Sequence, residues 1–223
     1  MTEDFREHYR QFARLFSFPS ADFETDIKAV DAYFKEKSPS TSASLAPFVS
    51  YALSHIHDMH ELYIRTFDVQ SITTLDIGYV LFGDDYKRGE LLSNLNREVK
   101  ENQIDTGTEL SDNLATALRL LSVWKDEALR VEFAGVILFP ALIKMRQEFE
   151  VGRLGEKAAY YKKTFKTVLD ASQDGQCIYK HCLDALLAVL KGEFPQIEVV
   201  HNQNQESDFL ISLKTETTVE KSQ

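Results

Sequence analysis

A formal net charge of −10 on 223 residues, with a pI near 5.1, argues against nucleic acid as a partner, because phosphate contacts need a basic face. Nine glycines and five prolines are few: glycine at about 4 % lies below the ~7 % average, which favours long helices over strand-and-turn architecture. The longest apolar run, Phe133 to Ile143, is interrupted by Pro140 and falls short of the ~20 residues a bilayer span takes. The opening MTEDFREHYR has neither the basic start nor the apolar run of a signal peptide. Two cysteines, Cys177 and Cys182, form no CxxC or disulfide framework. The expectation is a cytoplasmic, reduced chain with no direct membrane insertion.

In chain order, Phe5, Tyr9, Phe12 and Phe16 recur at helical spacing and predict an amphipathic helix ending before Pro19. Ser20 is placed to cap the next, which carries Phe23, Ile27, Val30 and Phe34. Ser38 to Ser42 reads as a loop by composition. A third helix is expected from Leu45 to Phe67, with Pro47 in its first turn and Met59, Tyr63 and Phe67 on one face. The stretch from Asp68 to Gly83 reads as an irregular connector, rich in apolar and aromatic residues: Leu75, Ile77, Tyr79, Val80, Leu81 and Phe82. Gly83-Asp84-Asp85 is a stop followed by N-cap chemistry, opening a helix through Leu91, Leu92, Leu95 and Val99.

After a short loop at Asn102 to Thr108, Ser111 or Asp112 is expected to cap a helix bearing Leu114, Leu118, Leu121 and Trp124. Ala128 to Met145 is apolar on most sides and reads as a central buried helix, which Pro140 should end or kink. Ala158, Tyr161, Phe165 and Val168 mark a further helix; Ile178, Cys182, Leu186 and Leu190 mark the last, stopped at Gly192 and Pro195. The pattern predicts an all-α chain: one domain over residues 1–195, a bundle of about seven to nine helices with a long functional connector, and a polar, loosely ordered tail over 196–223.

Catalytic chemistry finds little footing. His55, His57, Asp58, His60 and Glu61 are the densest set of ligand-type residues, but they form no HExxH, and a solvated helix face accounts for them. No GxSxG, P-loop or dinucleotide fingerprint is present, so no cofactor is expected. The acidity is concentrated: His55 to Asp112 holds twelve acidic and five basic residues, −7 of the total −10. That field suits either a solvated surface or docking of a basic peptide.

The same stretch carries LYIRTFD at 62–68, TTL at 73–75 and FGDDYKRGELL at 82–92, followed by ELSDNL at 109–114. These pieces resemble the signature of the nitrate reductase delta-subunit (NarJ-like) assembly chaperones, within the TorD/DmsD group that matures molybdenum enzymes. ELSDNL is similar to that group's ELPDHL box, with Ser111 for the Pro and Asn113 for the His. The resemblance implies an all-helical, non-enzymatic chaperone. It would bind the N-terminal peptide of a molybdoenzyme catalytic subunit and hold it until the molybdenum cofactor is inserted. It also implies that Asp112 helps form the peptide pocket, while Asn113 removes a titratable group. With the residue reading, it makes Tyr63, Phe67, Asp68, Leu75, Tyr79, Phe82, Asp84, Asp85, Asp112 and Asn113 the candidate peptide-binding set, although the apolar members also suit a core, Tyr63 and Phe67 on their helical stripe above all. The alternatives are a permanent structural or adaptor subunit of a redox complex and, further off, a metal-dependent helical enzyme.

Overall fold

A computed structural model describes residues 6–150, 153–154 and 177–196. Phe5, the helix expected at Ala158 to Val168 and the tail beyond Gln196 lie outside the described residues. The architecture is an all-α bundle; among the described residues the only extended pairing is one isolated antiparallel bridge, Asp76 with Asn113.

Helix α1 (Glu7–Leu15) buries Tyr9, Phe12 and Leu15, and lies against α2 (Phe23–Lys37) and α7 (Leu114–Val123). Helix α3 (Pro39–Ser54) sits between α2 and the last described helix, α10 (Ile178–Glu193). Helix α4 (Met59–Phe67) delivers Tyr63 and Phe67 into an aromatic core. There Phe67 meets Tyr179 edge-on at 4.8 Å, Tyr63 meets Phe67 at 5.2 Å, and Phe48 meets Tyr179 at 5.1 Å. Such pairs contribute about 0.5–1.5 kcal/mol each beyond the area they bury. Helices α5 (Ile77–Phe82) and α6 (Tyr86–Glu101) follow, and α5 packs on both α6 and α9 (Phe139–Gln147).

Several boundaries differ from the sequence reading. Ser38 to Ser42 is not a loop: Pro39 opens α3 at a position where its missing N–H costs nothing, so Pro47 falls inside the helix rather than in its first turn. Helix α3 does not continue to Phe67. Ser54 Oγ donates to the Ser50 carbonyl at 2.9 Å and His55 Nδ1 lies 3.1 Å from the Tyr51 carbonyl, so side chains compete for the last carbonyls. A single 3₁₀ turn, Ile56–Asp58, then leads into α4. Ser20 supports its own turn, accepting from Asp22 N at 3.3 Å, and α2 starts only at Phe23.

The connector is also more regular than expected. Residues 77–82 of the stretch read as irregular form α5, because Ile77 and Gly78 are buried there and packing overrides the poor helix propensity of IGYVLF. Gly83 closes it at φ 62°, a left-handed conformation that favours glycine. Pro140 does not end the central helix. Helix α8 (Glu127–Phe133) runs through a π turn (Ala134–Leu138) into α9, and the wider turn shifts the hydrogen-bond register ahead of the residue that has no N–H.

Candidate functional site

Three separated pieces of the chain meet around Arg88. Its position in the first turn of α6 is set by Asp85, whose carboxylate caps the helix by accepting from Lys87 N at 3.0 Å. From there the guanidinium donates Nε to Asp112 Oδ2 at 2.8 Å and Nη2 to Asp76 Oδ2 at 2.8 Å. The Asp112 side chain is fully buried, so the ion pair fixes the position of the 109–114 segment rather than decorating a surface. Backbone bonds on both sides of the Asp76–Asn113 bridge complete the joint: Ile77 N donates to Asp112 O at 2.9 Å and Leu114 N to Leu75 O at 2.8 Å.

The joint is tight. A Cβ on Gly78 would stand 2.6 Å from Asp112 Oδ2, closer than such contacts allow, so the α5 backbone lies directly on the carboxylate. Burial, then the neighbouring Asp112 charge, raises the Asp76 carboxyl above its ordinary value despite Arg88. The hydrogen bond it donates to Asp112 holds the Arg88 guanidinium more firmly protonated. Arg88 also lies over the Tyr79 ring, 5.2 Å from its centroid.

The ten sequence candidates separate into distinct environments. Tyr63, Phe67 and Leu75 are core residues, not surface anchors; Tyr63 donates its hydroxyl to the Phe16 carbonyl at 3.2 Å. Burial and then the charges of Glu109, Asp68 and Asp76 push the Tyr63 hydroxyl well above the usual tyrosine range. Asp68 is exposed at the end of α4. Asp112 does not cap α7; that role belongs to Asn113, which accepts from Ala115 N at 2.9 Å while its amide donates to Glu109 at 3.2 Å. Asp112 is instead the buried partner of Arg88.

Four candidates remain on one short segment: Tyr79, 45 % exposed; Phe82, half-buried against the core; and the exposed Asp84 and Asp85. Sequence reasoning missed Tyr86, 66 % exposed at the start of α6, and the three residues that brace the segment, Asp76, Gly78 and Arg88. All four lie within or beside the motif pieces, so the motif itself was the available signal.

A cleft of about 670 Å³ opens elsewhere, between α1, α7 and the loop after α6, with Tyr63 and Asn113 in its lining. The His55 to Glu61 cluster is broken by the Ile56–Asp58 turn, and among the described residues no group of three or more His, Cys, Asp or Glu is placed to hold a metal ion. Among the described residues no helix is long and apolar enough to cross a membrane. Compared with protein-family models, with curated proteins and with solved structures, the chain matches none.

Proposed function

We propose that the chain is a system-specific assembly chaperone. In the cytoplasm it binds the N-terminal segment of a molybdenum oxidoreductase catalytic subunit, of the nitrate reductase type, and releases it once the molybdenum cofactor is inserted. The observation that supports this reading best is the joint around Arg88. Three of the pieces behind the family resemblance, TTL, FGDDYKRGELL and ELSDNL, meet there through Arg88, Asp112 and the residues just after TTL, Asp76 and Gly78, beside the exposed Tyr79 of α5.

The physics of recognition is helix-in-groove docking. A client segment lays its apolar face on Tyr79, Phe82 and Tyr86, and its Lys or Arg side chains meet Asp84 and Asp85. Covering roughly 400 Å² of apolar surface contributes about 10 kcal/mol gross, much of it offset by association and ordering costs. The outcome is binding firm enough to hold and weak enough to release.

Copurification tests the reading. The chain should travel with the catalytic subunit made in cells unable to synthesise the molybdenum cofactor, and be absent from the mature, loaded enzyme. A chain that stays in the mature enzyme is a permanent structural subunit, and a chain that binds neither form refutes the proposal.

A further inference from the structure

We propose that the cleft between α1, α7 and the loop after α6 is a binding site for a small organic anion, a carboxylate or phosphate group carried on a flat apolar body. Its volume of about 670 Å³ falls in the roughly 300–1,000 Å³ range of small-molecule sites. Arg10 and Arg14 of α1 line it together with Arg119 of α7. The lining sets three guanidiniums against two carboxylates, Asp105 and Glu109, a local excess of positive charge on a chain of net charge −10.

These arginines are positioned by one another's surroundings. Arg10 Nε donates to Ser122 Oγ at 3.2 Å, and Ser122 Oγ donates to the Arg119 carbonyl at 2.6 Å. Arg119 donates Nη2 to Ser17 Oγ at 2.8 Å and Nη1 to the Asp105 carbonyl at 3.2 Å. Both acceptors of Arg119 are neutral oxygens, so among the described residues its charge has no carboxylate partner. Arg10 and Arg14 are ion-paired at long range, with Glu7 at 3.5 Å and Asp26 at 3.7 Å, so the guanidinium that most needs an anion is that of Arg119.

The acids inside the cleft are engaged by other donors: Asp105 accepts from Gly107 N at 2.9 Å and Glu109 from the Asn113 amide at 3.2 Å. Arg10 and Arg14 stand one turn apart on the same face of α1, where an anion held by Arg119 adds to the long pairings that Glu7 and Asp26 give them. The apolar body has a place as well. Phe18, in the cleft lining, is 49 % exposed yet held edge-on by Tyr63 at 5.4 Å and His60 at 4.6 Å.

The probes are phenyl phosphate and benzoate, with inorganic phosphate and phenol as controls, titrated calorimetrically into the full chain at constant ionic strength. At least one aromatic anion should bind saturably at one site and about tenfold more tightly than either control. The tighter of the two tells phosphate from carboxylate chemistry. Arg119→Gln should weaken it about tenfold, the scale of one charged hydrogen-bond partner. Phe18→Ala should remove the advantage of the aromatic anion over inorganic phosphate. Arg119 also ties α7 to Ser17, so Arg10→Gln, at an exposed side chain, is the second variant and should weaken binding by a smaller factor. Absence of saturable binding by both aromatic anions overturns the proposal. So does binding left unchanged by Arg119→Gln and Arg10→Gln. Neither outcome bears on the Tyr79 face, which this site does not use.

Discussion

Arg88 and Asp112 lie 24 residues apart in sequence and join at 2.8 Å, Nε to Oδ2, with the carboxylate fully buried. Removing one partner of such a pair leaves a charge in the interior. Arg88→Met should therefore lower the unfolding free energy by about 3–5 kcal/mol. Arg88→Lys, which keeps the charge but loses the fork to Asp76 and Asp112, should recover part of it. Urea denaturation of the three proteins gives the comparison; equal stability of Arg88→Met and the parent would mean the pair holds nothing together.

Gly78 is a second test of the same joint. Its missing side chain leaves room for Asp112 Oδ2 at 2.6 Å from where a Cβ would stand, with Leu91 and Arg88 at 3.1 and 3.3 Å. Gly78→Ala should cost about 1–3 kcal/mol, as overpacking does. Gly89, inside α6 with nothing within 4 Å, has the opposite expectation: Gly89→Ala should stabilise by about 0.4–1 kcal/mol. Thermal and urea melts of the two variants should move in opposite directions.

Acid should weaken the closure between α1 and α10. Burial alone would raise the Glu193 carboxyl, but the hydrogen bonds from His8 and Tyr9 and the charge of Arg130 outweigh it and hold it below its ordinary 4.5. A depressed carboxylate contributes stability that is present in full above the unfolded value and is lost as pH falls through the folded one. Stability should fall as pH drops below 4.5, and Glu193→Gln should be less stable at neutral pH with a smaller loss on acidification. Denaturation midpoints for both proteins across that interval check the sign; identical losses would show that Glu193 carries none of it.

Regular helical stripes made most of the bundle legible. Leu114, Leu118 and Leu121 announced α7, and Gly83 with Asp85 marked the stop and cap between α5 and α6, because those signals are local and repeat at the helical period. Helix α5 was hidden for the opposite reason: nothing in IGYVLF favours a helix until Ile77 and Gly78 are covered by neighbouring elements. The stripe of Tyr63 and Phe67 already suited a core, and the partner that makes it one, Tyr179, lies over a hundred residues later, where no local pattern points to it. Ser111, Asp112 and Asn113 share the same capping chemistry, so composition alone does not single out Asn113 as the cap of α7, and the pairing of Asp112 with Arg88 has no local signature at all.

The acidic rim should act on encounter more than on residence. Asp84 and Asp85 are exposed, where charges steer a partner and salt screens them over a Debye length of about 8 Å at physiological salt. Replacing both with Asn, which preserves capping at position 85, should slow association with a basic client peptide and flatten its salt dependence. Stopped-flow association rates at low and high salt measure this. A parent rate that does not change with salt would contradict the electrostatic part of the account.

The most direct test compares Tyr79→Ala with Leu118→Ala. Leu118 is fully buried on α7, so its truncation should cost about 2–5 kcal/mol of stability. Tyr79 is 45 % exposed beside Arg88, so its truncation should cost far less stability but at least about 2 kcal/mol of binding, as aromatic anchors do. Urea denaturation and calorimetric titration with the N-terminal peptide of the catalytic subunit give both numbers on the same samples. Tyr79→Ala should fold normally and bind at least about thirtyfold more weakly. If Tyr79→Ala loses as much stability as Leu118→Ala and keeps its affinity, the α5 face is structural and the client binds elsewhere.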